Sequence, residues 1–156
     1  GAELDRLAAA DPGGYTHSVH IYEGLGHWMK RKDAEAVPWM ATFVRNPWPK
    51  RVVWQQDDVV HQRFYWLSIL DRSMIQDRQK IEATLQDQTI ELSGALRPGL
   101  VLRLNDQLLD LDQPVRVRAN GRDVFVGRVS RRAAAIHASL EERADPASAA
   151  TALVSW

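Results

Sequence analysis

Asn46-Pro47-Trp48-Pro49 is the strongest punctuation in the chain, and it divides two different hydrophobic periodicities. Two prolines in four residues stop a helix and disfavour helical backbone in the residue before each. Upstream, apolar residues recur at helical spacing: Leu4, Leu7 and Ala8, then Val37, Met40 and Phe43. Downstream the period becomes that of strands, alternating in Ile81-x-Ala83-x-Leu85 and beginning with the short apolar run Val52-Val53-Trp54. The division predicts an N-terminal segment over residues 1–50 and a β-rich module over residues 51–156.

In the first segment a helix through Leu7 is stopped by Asp11-Pro12-Gly13-Gly14, and residues 17–23 alternate as a strand. His17 and His20 then fall on opposite faces and cannot chelate one metal together. Gly24 and Gly26 open a turn that carries His27 at its tip, because glycine tolerates positive φ and close backbone approach. Asp33 is a candidate N-cap for a helix running past Trp39 and Phe43. Taken alone, the Gly-x-Gly-His turn is equally an ordinary strand-to-helix loop with a packed or capping histidine.

The second segment reads as a run of short strands. Expected are strands at 51–55, 63–70, 79–85, 89–92 and 100–104, and a hairpin over 115–129 turned by Asn120-Gly121, a pair suited to a type I′ turn. Ser130 is the expected N-cap of one late helix through Ile136 and Leu140, followed by a helical turn at Asp145-Pro146 and a closing strand at 151–156. Strands of this length with regular turn signals imply an Ig-like antiparallel β-sandwich, so the fold class is α+β.

The stretch Ile21-Tyr22-Glu23-Gly24-Leu25-Gly26-His27-Trp28-Met29 resembles the histidine loop of the α/β-hydrolase superfamily, nearest its esterase and peptidase-like members. The run Arg45-Asn46-Pro47-Trp48-Pro49 with Arg63-Phe64-Tyr65-Trp66-Leu67 is similar to bacterial hydrolases with a C-terminal β-module. The resemblance covers roughly residues 4–50. It implies the truncated last βα unit of a hydrolase fold, with His27 as general base in a complete protein. Such a base needs a serine nucleophile and an orienting carboxylate. The family's Gly-x-Ser-x-Gly elbow does not occur here, and every serine but Ser18 follows His27, against the family's order of nucleophile, acid, histidine. Asp5 and Asp11 are placed as helix-surface and turn residues. The chain alone is therefore expected to be non-catalytic, with the hydrolase domain of the same protein as its partner. A truncated strand and an apolar helix also imply a homodimer or strand exchange. The alternative is a non-catalytic β-sandwich for interaction or carbohydrate binding.

Composition closes off other classes. Twenty basic and twenty acidic residues cancel, leaving no broad field for nucleic acid. Cysteine is absent, which removes thiolate metal sites and a cysteine nucleophile. No apolar run approaches the roughly 18 residues of a membrane span, and no signal peptide is recognisable. No cofactor is expected. Asp57, Asp58 and His61 have the chemistry of a divalent-metal cluster but read as a solvated turn, so no metal is expected either. Six tryptophans, at 28, 39, 48, 54, 66 and 156, read as core or docking residues, with a sugar-stacking platform as the alternative. Arg128, Arg131 and Arg132 form a local basic patch at the start of the late helix.

Overall fold

The computed structural model describes residues 1–11 and 14–156 and resolves them into two compact units, Gly1–Arg45 and Asn46–Trp156. The N-terminal unit holds helix α1 (Ala2–Ala10), a 3-10 segment (Met29–Glu35) and helix α2 (Ala36–Met40). The expected stop of the first helix includes Pro12 and Gly13, which lie outside the described residues. Gly14 N–H donates to Asp11 C=O at 2.9 Å.

The expected strand at 17–23 does not form. A strand is defined by ladder hydrogen bonds, and among the described residues no segment pairs with this one. The extended stretch is held by side chains instead. The expected helix from Asp33 forms only as the end of a 3-10 segment and the short α2, and the backbone just before it is irregular. Lys30 and Arg31 have φ of 50° and 63°, and α2 spans five residues with no side-chain cap. Val37, Met40, Phe43 and Val44 are all exposed, so packing gives the helix no help and its short length leaves it marginal.

The C-terminal unit is built from nine strands. They are β1 (Arg51–Gln55), β2 (Arg63–Phe64), β3 (Leu67–Ile69), β4 (Lys80–Gln86), β5 (Thr89–Gly94), β6 (Leu100–Leu104), β7 (Val115–Ala119), β8 (Arg122–Gly127) and β9 (Ala152–Ser155). Helix α3 (Ala133–Arg143) precedes β9. One sheet runs β1-β4-β5-β7-β8 and the other β2-β3-β6-β9. Alternation makes the core: Ile81, Ala83 and Leu85 of β4 are buried while Lys80 and Thr84 are exposed. They join Val117 of the same sheet and Leu67, Leu102 and Val154 of the other in one hydrophobic cluster. Two mostly antiparallel sheets sharing a core are compatible with a β-sandwich.

Two features depart from the expected antiparallel sandwich. First, β5 and β7 pair in parallel, with β6 of the other sheet between them in sequence. Second, the expected strand at 63–70 folds back on itself. Arg63 pairs with Ser68 and Phe64 with Leu67, so Tyr65-Trp66 is a hairpin turn, with Tyr65 at φ 52°. Trp66 is wholly buried and its indole N–H donates to Pro49 C=O at 2.8 Å. Seating that ring is what bends the segment. The Asn120-Gly121 turn forms as read, with φ of 47° and 80°. Helix α3 begins three residues after Ser130, and Arg132 holds the N-cap position without a side-chain cap. The Arg132 N–H donates to Thr151 C=O at 2.7 Å, which keeps the lead-in extended.

Candidate functional site

Along the extended stretch of the N-terminal unit, Ser18, His20 and Tyr22 occupy alternate positions and share one side. They line a cleft of about 480 Å³ together with Met29, Asp33, Glu35, Trp39 and Met40. His20 is the centre of its polar side. Its Nε2 lies 3.0 Å from Ser18 Oγ, and its Nδ1 lies 3.1 Å from Glu35 Oε1. A neutral imidazole with its proton on Nδ1 donates to Glu35 and leaves Nε2 free to accept from the Ser18 hydroxyl. Serine to imidazole to carboxylate is the connectivity of triad chemistry.

Tyr22 completes the cluster. Its hydroxyl donates to Glu35 Oε1 and to Lys32 C=O, the latter at 3.3 Å. The hydrogen bond to the Glu35 carboxylate, followed by partial desolvation, holds the phenol above its ordinary range. The Trp39 and Phe43 rings meet edge to face, 4.8 Å between centroids. His17 has a separate task. Its Nδ1 is 2.7 Å from Tyr15 C=O and its Nε2 is 2.9 Å from Asp5 Oδ1 of α1. Two acceptors favour the doubly protonated ring, so its pKa is raised, by the Tyr15 carbonyl first and Asp5 second.

His27 is not among the cleft's lining residues. It sits in a turn with Trp28, after Gly24 at φ 69°, and meets the Trp28 ring edge-on at 5.1 Å and 78°. No described residue forms a hydrogen bond or ion pair with its imidazole. The structure thus brings Ser18, His20 and Glu35 together and leaves His27 outside. The alternation of Ser18, His20 and Tyr22 was a readable signal for part of this cluster; nothing local marks Glu35, which enters from the 3-10 segment.

The other polar candidates resolve as structural parts. Asp57 Oδ1 accepts from Val59 N–H at 2.9 Å, and buried Gln56 clasps the His61 backbone through both of its amide atoms. No group of three or more histidine, aspartate or glutamate side chains that could hold a metal occurs among the described residues. Trp48, Trp54 and Trp66 are buried; Trp28, Trp39 and Trp156 are exposed. The basic patch divides. Arg131 bridges Asp106 at 2.5 Å and Asp112 at 2.7 Å, whereas Arg128 and Arg132 line a second cleft. No helix among the described residues is long and apolar enough to cross a membrane. No protein-family model, curated protein or solved structure matches this chain.

Proposed function

We propose that the N-terminal unit is the terminal part of a serine α/β-hydrolase domain, in which His27 acts as general base on an ester or amide substrate. The β-rich unit is then a structural or substrate-positioning appendage. One observation carries the reading. No described residue of 1–45 is buried, yet Leu4, Tyr15, Val19, Ile21, Trp28, Val37, Trp39, Met40, Phe43 and Val44 are all exposed. Side chains of this kind are normally inside, and this many in so short a unit suit a surface that packs on a larger body. The turn geometry of His27 and its free imidazole suit a base whose nucleophile comes from that body.

Ester hydrolysis and labelling by a fluorophosphonate probe test this, on the chain as it stands and on the full product of its gene. The expected outcome is labelling of a serine outside this chain, with hydrolysis lost by a factor of at least about 10² in His27→Ala. An inert, unlabelled full-length product, or one indifferent to His27→Ala, overturns it.

A second reading has its own observation, the hydrogen-bonded Ser18–His20–Glu35 chain in the 480 Å³ cleft. It places the nucleophile within this unit. Peptide mapping separates the two: an adduct on Ser18 that disappears in His20→Ala belongs to the second, an adduct on a serine elsewhere to the first. If both forms are inert, the non-catalytic interaction or carbohydrate-binding module is the remaining reading, and glycan binding by residues 51–156 is the measurement for it.

A further inference from the structure

The second cleft, of about 410 Å³, lies in the C-terminal unit where β8 and the lead-in to α3 pass β9. Phe125, Val129, Leu153 and Val154 give it apolar walls, and Arg128 and Arg132 give it charge. Neither guanidinium has a hydrogen-bond or ion-pair partner among the described residues, although Arg131 beside them is neutralised twice over. The cleft also adjoins open backbone. Arg103 N–H donates to Trp66 C=O, on the side of β6 away from β9. In an alternating ladder the backbone groups of Leu102 and Leu104 then face β9, and those of their partners Val154 and Ala152 face back. The N–H and C=O groups of Leu153 and Ser155 therefore point outward, and β9 is the last strand of its sheet.

We infer that this edge is a docking site for an extended acidic peptide segment, which adds to β9 as a further strand and places carboxylates on Arg128 and Arg132. Main-chain pairing supplies affinity in strand addition, and side-chain pockets supply choice. Here the apolar walls take an aliphatic side chain between two acidic ones. Arginine's planar fork suits carboxylates, and two unpaired cations beside an open edge select against basic segments. A purely protective role for the two arginines, keeping other strands off the edge, makes the opposite prediction.

The test is titration of the full chain with a blocked pentapeptide of alternating glutamate and valine, read by amide chemical shifts. Expected is saturable binding with shifts centred on Leu153–Ser155. It should weaken at least about tenfold in the Arg128→Ala/Arg132→Ala double variant and fall with added salt. Both arginines are exposed and unpaired, so the variant should keep the wild-type spectrum elsewhere. No saturable binding, equal binding of the lysine–valine counterpart, equal binding of free glutamate, or a double variant that binds as wild type would each overturn the inference.

Discussion

At the scale of single residues, Glu142 has the most to do. One of its oxygens lies 3.0 Å from both Arg63 and Arg103, whose side chains are 6% and 12% exposed. Burial, then the neighbouring Arg103, pulls the Arg63 guanidinium below its ordinary pKa, so the carboxylate offsets two desolvated cations at once. Glu142→Gln should cost about 1–3 kcal/mol, below the full penalty for a broken buried pair because Glu142 itself is partly exposed. Glu141→Gln, which removes only an exposed contact to His137, should cost about 0.5 kcal/mol or less. Urea denaturation of both variants checks the contrast. Arg131 sets a pH dependence. Its hydrogen bonds lower the pKa of Asp106 and of Asp112, so their contribution is complete above the unfolded carboxylate value and is lost as pH falls below about 4. Arg131→Ala should therefore differ from wild type in the pH dependence of its melting temperature only in that acid range. Little of this was legible in the chain. Arg63 and Glu142 are far apart in sequence, and Ser18, His20 and Glu35 meet through a segment whose expected strand never forms.

At the scale of elements, legibility followed the availability of a local signal. The strand at 80–86 alternates apolar and polar residues, those at 51–55 and 100–104 are short apolar runs, and the Asn120-Gly121 turn declares itself, so these were readable. The hairpin at Tyr65-Trp66 was not, because its turn is imposed by the burial of one indole and carries no turn residue. Gly94 is the element-scale counterpart. It ends β5 at φ 100°, and a Cβ there would lie 2.4 Å from the Lys80 carbonyl oxygen. Gly94→Ala is strained by conformation and by contact with backbone that cannot rotate away, so a loss of at least about 2 kcal/mol is expected. Thermal unfolding measures it. Gly99→Ala is the control: φ is 83° but nothing lies within 4 Å, so only the backbone cost of about 1–2 kcal/mol applies.

At the scale of the molecule, the two units differ in what they bury. Residues 46–156 enclose a continuous core from both sheets, whereas 1–45 bury no described side chain. The chain should therefore self-associate through its N-terminal unit as concentration rises, while a version comprising only 46–156 stays monomeric. Light scattering across a dilution series distinguishes this from association through the β-rich unit, in which case both versions would grow together. The helical periodicity of residues 1–50 raised the same expectation, but it could not say that α2 would stop at Met40.

The parallel pairing of β5 with β7 has a consequence for synthesis. A ribosome releases β1 to β5 in order, yet β5 cannot gain its second neighbour until β6 has been laid in the opposite sheet and β7 has followed. That opposite sheet in turn waits for β9, the ninth of these strands in chain order. Neither layer can close early. The nascent chain must carry Ile81, Ile90 and Leu92 unshielded until β7 and β9 have been made, so its yield in the cell should depend on elongation speed and on chaperones that hold growing strands.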